Sequence, residues 1–528
     1  MARVAVIGGE QGIAERVITR LRESPVVADC RRDLEAPLDT AVYLAHRAAP
    51  SLVEAQAVFD RCAGSGIARV VLVSSAAVYG PGPHNPGLMS ESRPVSLNGH
   101  NRIAAVWSEL ERLAQTAFSG RPDAKLTILR PAAVLVGGGT DYFSRLLSGR
   151  LAITLPGHDP SIQLLSPDDL AGAIRRAVEC SAGGIYNVAP GGVIPLRAAL
   201  RLTGSKRLPV PRTWQGLAGR SDQLDYIRFS WTISGEKIKR ELGFAPARSS
   251  AQALQEFSGA AGPEPAPEFD DFGMDEKYIQ AYGRTLMRFL HDYYWRVELK
   301  GVDHVPRHGR AVLVGMHRGF MPLDGVMALH AIVKGLGRFP RFLIHPSLVR
   351  FPFLFNFITK LGGILACFEN AQYVLERDEI LGVFPEGIRG AFTMYRNAYR
   401  LGKFSRDDFV KMALRYRAPI VPFVTVGSAE IFPILGRIDW GWWKRWTEWP
   451  FFPITPTFPL LPAPLPSKWH TQFLTPIHVE RRYPPEAADD AATVRAISQE
   501  VRNTMAEAIA AMLRRRKSIF FGEIFGER

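Results

Sequence analysis

Short apolar runs alternate with stretches of helical periodicity through the first half of the chain. The runs are continuous rather than alternating, as expected for strands buried on both faces of a parallel sheet. Because each run is followed by a helical stretch, the pattern predicts a doubly wound α/β sheet. The predicted strands are Val4–Ile7, Ala41–Leu44, Val70–Ser74 and Leu126–Leu129, and the predicted helices lie near residues 12–22, 51–64, 101–117 and 168–179.

The composition changes at Ser258–Asp275, where small residues, prolines and acids crowd together as in an extended linker. This segment predicts two domains, residues 1–257 and residues 276–528, joined by residues 258–275. Beyond it, aromatic and aliphatic residues recur every three or four positions over Glu276–Val297 and predict one amphipathic helix. The apolar runs that then predict a second α/β unit are Ala311–Gly315, Ile380–Phe384 and Ile420–Val426.

The charge of the 528-residue chain is basic but evenly spread, with a net value of +14. Residues 1–257 hold 30 Lys and Arg against 23 Asp and Glu, and residues 258–528 hold 35 against 28. A nucleic-acid-binding chain more often gathers its basic residues on one face or arm, so we expect no nucleic-acid partner. An even basic excess suits contact with anionic lipid or a phosphorylated substrate.

Cysteine usage and hydropathy bear on the compartment. The four cysteines form neither a CxxC pair nor a metal-ligand spacing, so we expect reduced thiols, a cytoplasmic protein and no metal site. The N-terminus enters a strand without a signal-peptide pattern, and no run reaches the roughly 18 apolar residues that span a bilayer. Any membrane association is therefore expected to be peripheral, at the inner face.

A glycine turn follows the first strand. Gly8, Gly9 and Gly12 open the first helix, where glycines let the backbone approach a pyrophosphate and the helix N-terminus attracts it. Asp29 stands 21 residues after Gly8, near the place expected for a ribose-binding acid. The arginines at 31 and 32 would instead favour a 2′-phosphate. The pattern predicts NAD or NADP binding, and the alternative is a tight strand-to-helix turn with solvated charges.

Five segments of the first half occur in a recognisable order. They are Val71–Gly80, Leu129–Val134, Ser166–Leu170, Ile185–Val188 and Arg240–Pro246. In this order they resemble the extended, atypical short-chain dehydrogenase/reductase family, of the NAD-dependent epimerase and dehydratase type. The resemblance covers residues 1–257 and implies an NAD(P)-binding Rossmann-like domain.

The catalytic pair of that family is not found at its expected place. The family's chemistry uses a tyrosine and a lysine four residues apart on one helix face, where the lysine lowers the pKa of the tyrosine. Counting back from the acids at 109 and 111 places Asn101 with Ala105, or Ile103 with Trp107, at those positions. The segment before Ala41 is also short, so a sheet strand is expected to be missing. We therefore expect a degenerate domain with weak or absent redox activity.

Two stretches of the second half carry the chemistry, Met316–Asp324 and Phe384–Arg389. In the first, His317 can act as the general base that deprotonates a hydroxyl, and Asp324 would hold the other ring nitrogen and stabilise the imidazolium. In the second, a Pro-Glu-Gly turn followed by an arginine can hold a polar or anionic head group. The residues predicted to bind substrate there are Glu386, Gly387 and Arg389.

Four blocks of the second half also occur in a recognisable order. They are Val312–Asp324, Leu361–Asn370, Gly382–Arg389 and Ala418–Val424. In this order they resemble the glycerolipid acyltransferase family, of the lysophosphatidate type. The resemblance implies transfer of a fatty acyl group from acyl-CoA or acyl carrier protein to a hydroxyl of a glycerolipid or related lipid. It implies no cofactor for that step.

Two departures from the family pattern matter. The common spacing is His-x4-Asp, whereas here Pro322 occupies the fifth place after His317, where the acid is expected, and the acid comes at Asp324. Gly319 lies in the insertion and would allow a bulge that lets the two side chains meet. Many members with phosphorylated acceptors carry an arginine in the second block, where this chain has Cys367–Glu369. A neutral acceptor, such as a diacylglycerol or a long-chain alcohol, therefore competes with a phosphorylated one.

Aromatic segments suggest contact with a membrane. Trp440–Phe452 mixes tryptophans with charged residues, a composition that favours the bilayer interface, and Phe351–Phe357 is a second aromatic run. The alternative is that these rings form core or a lid over an acyl channel. Two rival functions also stay open: a non-catalytic scaffold that binds nucleotide or lipid, and an NAD(P)-dependent epimerase or reductase acting through the first half.

Overall fold

A computed structural model describes residues 1–34, 37–45, 50–95, 101–121, 123–138, 141–211, 221–259, 269–404, 406–460 and 463–526. The chain divides into two compact units, Met1–Met274 and Asp275–Arg528. The predicted linker, residues 258–275, spans this division, and its residues 260–268 lie outside the described residues.

The first unit is built on a six-stranded sheet in which every pairing is parallel. All four predicted strands are confirmed, and the doubly wound α/β class is confirmed by the strand order, β6-β5-β4-β3-β1-β2. These strands are β1 (Ala2–Gly8), β2 (Val27–Arg31), β3 (Thr40–Leu44), β4 (Arg69–Val73), β5 (Lys125–Pro131) and β6 (Gly184–Val188).

Helices cover both faces of this sheet. Alternate residues of the strands enter two separate apolar cores, one under α2 and α3 and the other under α1 and α4, which are defined below. Ser166 caps α4 by accepting the N–H of Asp169, and Pro167 occupies its first turn. The main helices are α1 (Gln11–Arg22), α2 (Leu52–Gly64), α3 (Arg102–Phe118) and α4 (Pro167–Cys180). Shorter helices are Tyr142–Ser148, Leu196–Leu202, Ser221–Asp225, Glu236–Leu242 and Ser250–Ser258. Short strands are Ala133–Val134, Leu151–Thr154, Ser161–Ile162, Leu164–Leu165, Ile194–Pro195 and Lys206–Pro209.

The segment between α1 and β3 corrects one expectation. It was predicted to lack a strand, yet β2 forms there and pairs with β1 at the edge of the sheet. Five residues suffice for a strand because an edge strand needs only one partner. The strand order reverses between β1 and β3, so the glycine turn after β1 lies at the topological switch point, where such sheets bind ligands.

The second unit contains a seven-stranded mixed sheet in the order β7-β13-β12-β8-β11-β9-β10. The pairing of β12 with β13 is antiparallel and the other pairings are parallel. The strands are β7 (Glu298–Lys300), β8 (Ala311–Gly315), β9 (Arg341–Ile344), β10 (Ile364–Leu365), β11 (Ile380–Val383), β12 (Ile420–Val426) and β13 (His470–Phe473). The three predicted strands of this unit correspond to β8, β11 and β12 and are confirmed.

The central position of β8 places the loop that follows it. It pairs in parallel with β11 on one side and with β12 on the other, and all five of its residues are buried. Since parallel neighbours end at the same edge of a sheet, the segments after Gly315 and after Val383 emerge side by side. These are the segments that contain the two predicted chemical motifs.

Helices of the second unit surround this sheet. They are α5 (Glu276–Arg284), α6 (Leu323–Leu336), α7 (Pro352–Lys360), α8 (Phe368–Glu376), α9 (Asp408–Arg415), α10 (Gly441–Thr447) and α11 (Ala491–Arg515). Shorter helical segments are Leu286–Arg288, Ile388–Ala391 and Val479–Arg482, and the strands Gly436–Ile438 and Phe452–Ile454 form a separate antiparallel pair. Among the described residues, no helix combines the length and apolar character needed to cross a bilayer.

The long helix predicted over Glu276–Val297 is wrong. Helix α5 ends at Arg284, and Thr285 leaves helical geometry with φ −115° and ψ −97°. The Thr285 hydroxyl donates to the carbonyl of Ala281, a local bond that competes with helix continuation. A π-helical turn then leads to Trp295, whose buried ring stacks on Trp469 at 4.5 Å and draws the chain into the sheet.

Candidate functional site

His317 and Asp324 lie close together beyond the carboxyl end of β8. Nδ1 of His317 is 3.0 Å from Oδ2 of Asp324, which also accepts the backbone N–H of Arg318 at 2.8 Å. Asp324 is buried in the first turn of α6, where the helix N-terminus favours a carboxylate. Because Nδ1 faces the carboxylate, Nε2 is the ring nitrogen left to exchange a proton with a substrate.

The loop between the two side chains folds back through two left-handed residues. Gly319 has φ 74° and Phe320 has φ 41°, a conformation that a residue with a side chain rarely adopts. The Phe320 ring is held within an aromatic cluster, so packing offsets the backbone strain. Its ring partners, at 5.2 to 6.0 Å between centroids, are Phe392, Phe432, Trp449 and Phe458. The imidazole and the carboxylate therefore meet although six residues separate them.

Arg318 joins the two motifs and was missed by sequence reasoning. Its side chain is 1% exposed, and its guanidinium binds both carboxylate oxygens of Glu386, at 2.7 and 3.2 Å. Its other hydrogen bonds go to backbone carbonyls, including that of His317 at 2.7 Å. An arginine placed directly after the candidate base within an otherwise apolar block was the available signal. A fully buried guanidinium needs such a partner, since an unpaired buried charge is strongly destabilising.

The carboxylate oxygens of Glu386 are hydrogen-bonded within the protein. Besides Arg318, its Oε1 accepts the backbone N–H of Gly402 at 2.7 Å, and the side chain is buried. The chain leaves room for this pair, because a Cβ at Gly390 would lie 2.7 Å from Cβ of Glu386. This placement favours a positioning role for Glu386 over the predicted direct contact with a head group.

Gly387 and Arg389 complete the Pro-Glu-Gly turn. Gly387 has φ 60° and ψ −153°, which only glycine adopts without strain, so it shapes the turn. Arg389 is exposed and lies on the lining of a cavity beside His317. Two further exposed basic residues of that lining are Lys403 and Arg406. Of the predicted substrate-binding residues, Arg389 is therefore the one whose side chain is open to a ligand.

The cavity beside His317 has a volume of about 1000 Å³. Ligand sites of proteins commonly measure about 300–1,000 Å³, so this one is large. Most of its lining is aliphatic or aromatic, which suits a long hydrocarbon chain. Representative lining residues are Val326, Leu329, Ile344, Leu354, Ile358, Leu381, Phe409 and Met412.

Comparison with known sequences identifies the family. The family model described as Acyltransferase matches residues 296–426, which include His317, Asp324 and Glu386. An uncharacterised protein of Mycobacterium bovis is 38% identical over 262 residues, which are 48% of this chain and 72% of that protein. The second unit therefore contains a domain of the acyltransferase family.

Two further relatives differ in how much they share with this chain. An uncharacterised protein of Mycobacterium leprae is 37% identical over 262 residues, covering 48% of this chain and 70% of that protein. Phytyl ester synthase 1, chloroplastic, of Arabidopsis thaliana is 31% identical over 140 residues, covering 25% of this chain and 20% of that protein.

The glycine turn of the first unit is shaped by its own packing. Gly8 and Gly9 have φ of 74° and 70°, and a Cβ on either would lie 2.8 Å from atoms of Leu44. Gly12 differs, because a Cβ there would meet no atom within 4 Å. The first two glycines are therefore required by the approach of β3 whether or not a nucleotide binds, and only Gly12 faces open space.

Charged residues beside this turn partly neutralise one another. Asp29 lies on β2, and its carboxylate accepts a hydrogen bond from Arg31 at 2.5 Å. Arg32 donates to the carbonyl of Gly8 at 3.2 Å and so reaches across the glycine turn. An acid paired in this way is less available to a ribose, whereas Arg32 is placed near any phosphate bound at the turn.

A buried polar network stands near the expected dyad of the first unit. Arg130 pairs with Glu111 at 2.6 Å and donates to the hydroxyl of Tyr79, which in turn donates to Asn187 at 2.8 Å. The pKa of Tyr79 is raised above its usual value because burial outweighs the opposing effect of Arg130. Asn101, at one of the expected dyad positions, instead caps α3 by accepting the N–H of Ala104. The expectation of weak or absent redox activity stays a prediction.

Solved structures similar to the chain match about half of it. UDP-N-acetylglucosamine 4-epimerase from Bacillus cereus is 15% identical with a TM-score of 0.37, covering 49% of this chain and 99% of that one. A dTDP-glucose 4,6-dehydratase from Streptomyces venezuelae, with NAD bound, is 18% identical with a TM-score of 0.37, covering 49% and 96%. The fold of the first unit is assigned from its own strand order.

Two buried histidines are in contact, and one of them, His330, lies on α6, the helix that carries Asp324. The rings of His330 and His291 are 5.2 Å apart between centroids, and Nδ1 of His291 is 2.7 Å from Asp292. Burial lowers the pKa of His330 to about 4, with a further contribution from His291 and Lys334. Burial also lowers the pKa of His291. Both rings are therefore neutral at neutral pH.

Proposed function

We propose that this acyltransferase moves a fatty acyl group from acyl-CoA or acyl carrier protein to a hydroxyl of a glycerolipid or related lipid, with His317 as general base. The observation that carries the proposal is the contact between His317 and Asp324 at the wall of a large apolar cavity. The acyl chain would occupy that cavity, and the acceptor hydroxyl would lie against Nε2 of His317.

The reaction follows from this geometry. Nε2 of His317 takes the hydroxyl proton as the alcohol oxygen attacks the thioester carbonyl, and Asp324 stabilises the imidazolium that forms. When the tetrahedral intermediate collapses, the carbon–sulfur bond breaks and the imidazolium returns the proton to the leaving thiolate. The products are an ester and a free thiol. No covalent acyl-enzyme is required.

Basic residues at the margin of the cavity bear on the class of acceptor. Arg389, Lys403 and Arg406 could bind a phosphate, of the acceptor or of the acyl donor. The second motif block has Cys367–Glu369 where a phosphate-binding arginine is common, which favours a neutral acceptor and leaves these basic residues to the donor. The name of the relative phytyl ester synthase is consistent with an ester-forming reaction on a lipid.

An acyl-transfer assay on the full chain tests the proposal. Purified protein is supplied with a long-chain acyl-CoA or acyl carrier protein and, in turn, with a lysophosphatidate, a diacylglycerol and a long-chain alcohol. The products are free thiol and ester, the latter identified by mass spectrometry. We expect ester with at least one acceptor and a fall in rate of about 10²–10⁴-fold for His317→Ala, because general-base catalysis contributes that much.

The matched control is His308→Ala, which removes an exposed histidine of the same unit. It should retain the rate of the unaltered protein. A His317→Ala protein that folds normally and turns over at the same rate would refute His317 as the general base. If the unaltered protein forms no ester with any of the acceptors, the non-catalytic scaffold becomes the better account.

A further inference from the structure

An exposed aromatic surface lies beside the cavity of the second unit. It is formed by Trp440, Trp442 and Trp446, on and next to α10, together with Phe353 of α7, and we call these four side chains the aromatic platform. We infer that the aromatic platform docks the protein onto an anionic lipid bilayer. The inference goes beyond the proposed acyl transfer, because it names a surface and a partner rather than a reaction.

The exposure of these rings is unusual for their size. Trp440, Trp442 and Trp446 are 40%, 56% and 51% exposed, and Phe353 is 71% exposed. Large aromatic residues are normally buried, and contiguous exposed ones mark interaction sites. Tryptophan in particular prefers the bilayer interface, where its ring enters the apolar layer and its N–H stays hydrated.

The platform is held on a packed base. Trp443 and Trp449 are buried beneath it, with their rings 5.7 Å apart, and Trp443 also packs on Trp446 at 5.6 Å. Trp440 stacks on Trp442 at 5.8 Å. The strands on either side of α10, Gly436–Ile438 and Phe452–Ile454, pair with each other and close the segment at its base. The exposed rings are thus presented in a fixed arrangement.

Arg350 connects the two parts of the platform. It donates to the carbonyl of Trp446 at 2.7 Å and pairs with Glu448. Phe351 stacks on Trp449 at 4.9 Å. These contacts fix the segment that leads into Phe353 against the tryptophan helix, so that all four exposed rings belong to one packed region.

Charge around the platform selects an anionic partner. Residues 350–357 and 437–452 hold four basic residues against two acids, Asp439 and Glu448. Asp439 pairs with Lys444 at 2.9 Å and lies 3.6 Å from Arg437, and Glu448 pairs with Arg350, so Arg445 is the basic residue of the set outside these pairs. The basic residues are Arg350, Arg437, Lys444 and Arg445. Tryptophan interleaved with lysine and arginine is the composition of interfacial membrane segments, which gain from both apolar insertion and anionic lipid.

Trp449, which is buried beneath the aromatic platform, forms part of the cavity wall. Trp449 lines the cavity and its ring lies 5.9 Å from that of Phe320, three residues after His317. A bilayer under the platform would therefore lie next to the site that the proposed function requires. A lipid acceptor could then reach His317 from the membrane. This last step rests on the proposed function, whereas the docking itself does not.

Vesicle binding by the full chain tests the inference. The probe is vesicles of phosphatidylglycerol and phosphatidylcholine in equal parts, compared with vesicles of phosphatidylcholine alone, and binding is measured by co-sedimentation. We expect binding to the anionic vesicles that weakens with salt, and a shift of tryptophan emission to shorter wavelength on binding. Arg445→Gln should weaken binding by about fivefold, the share of one basic residue near an anionic surface.

The double variant Trp442→Ser and Trp446→Ser tests the aromatic share. We expect it to lose vesicle binding by about tenfold or more while its circular dichroism stays unchanged, since both rings are exposed. The matched control is Phe521→Ser, which removes an exposed ring from the C-terminal segment and should bind as before. Equal binding by the double variant and the unaltered protein would overturn the inference, as would the lack of any binding to anionic vesicles.

Measuring vesicle binding and acyl transfer on the same variants separates the docking proposal from the proposed acyl transfer. His317→Ala should bind vesicles as the unaltered protein does, because docking does not use the imidazole. The tryptophan double variant should retain acyl transfer to a water-soluble acceptor, because neither ring lines the cavity. If the double variant binds vesicles normally, docking through the platform is refuted even when acyl transfer is confirmed.

Discussion

The guanidinium of Arg318 donates hydrogen bonds to both carboxylate oxygens of Glu386, at 2.7 and 3.2 Å, inside the second unit. The same Arg318 gives its backbone N–H to Asp324 and a side-chain N–H to the carbonyl of His317. One buried ion pair thus ties the loop of the candidate base to the Pro-Glu-Gly turn. The two motifs are positioned by each other rather than by substrate.

Glu386→Gln is expected to lower the free energy of unfolding by about 3–5 kcal/mol, because it removes the charged partner of a buried guanidinium. The measurement is chemical or thermal unfolding of the full chain. Glu500→Gln supplies the control, since Glu500 forms a similar two-bond pair with Arg482 at the surface of the same unit. That change should fall within about 1 kcal/mol. Equal losses in the two variants would show that the Arg318 pair is not structural.

Asp324→Asn is expected to lower kcat by about 10²–10⁴-fold with little change in KM, because the amide no longer fixes the ring tautomer or stabilises the imidazolium. The fold should persist, since the amide oxygen can still accept the N–H of Arg318. Steady-state acyl transfer measures the effect. Asp303→Asn, at an exposed position, is the control and should match the unaltered protein. A kcat that survives in Asp324→Asn would contradict the role assigned to the carboxylate.

Buried apolar runs predicted the central strands well, because β8, β11 and β12 are covered on both faces and their sequence shows it. The sequence could not show Arg318 bound to Glu386, since 68 positions separate them and the sheet alone brings them together. The break at Thr285 was hidden for another reason. Helical periodicity continues past it, yet Leu286, Phe289 and Tyr293 are exposed, so the apolar stripe does not report burial there.

Two glycines of the first unit separate folding from nucleotide binding. Gly12→Ala adds a Cβ in open space within α1. It should leave the free energy of unfolding unchanged or raise it by up to about 1 kcal/mol, and Tm should follow. We expect it to weaken NADP(H) or NAD(H) binding, which is measured by fluorescence titration of the full chain. Gly9→Ala should instead lower stability by about 1–2 kcal/mol, because its φ is 70° and Leu44 occupies the space.

The titration has a clear opposite outcome. A nucleotide that binds the folded state raises Tm by mass action. If neither cofactor changes Tm at millimolar concentration, or if Gly12→Ala binds as tightly as the unaltered protein, the turn has no role in nucleotide binding. The first of these outcomes, no change of Tm with either cofactor, would leave the first unit as a scaffold.

Ala371→Leu is expected to shift the acyl-chain preference toward shorter donors. Ala371 is buried on α8 and lines the cavity, so the added carbons take up space that a long chain would fill. The measurement is kcat/KM across a series of saturated acyl donors. Ala510→Leu, at an exposed position of α11, controls for the substitution itself. An unchanged preference would show that the acyl chain does not reach Ala371.

The buried histidine pair predicts how stability depends on pH. The pKa of His330 is lowered to about 4, whereas an unfolded histidine titrates near about 6.5, so the unfolded state binds more protons between these values. The contribution of His330 to the free energy of unfolding is therefore fully present above about pH 6.5. It is lost as pH falls toward about 4, and the loss is at most on the order of 3 kcal/mol. The groups facing His330 are His291, Lys334 and Asp292, of which only Asp292 opposes the shift.

Calorimetry of the full chain across this pH range checks the effect. His330→Gln removes the titrating ring and should flatten the fall of Tm with acidification. His308→Gln removes an exposed histidine from the same unit and should leave the slope as it is. Parallel pH profiles for His330→Gln and the unaltered protein would place the acid sensitivity elsewhere.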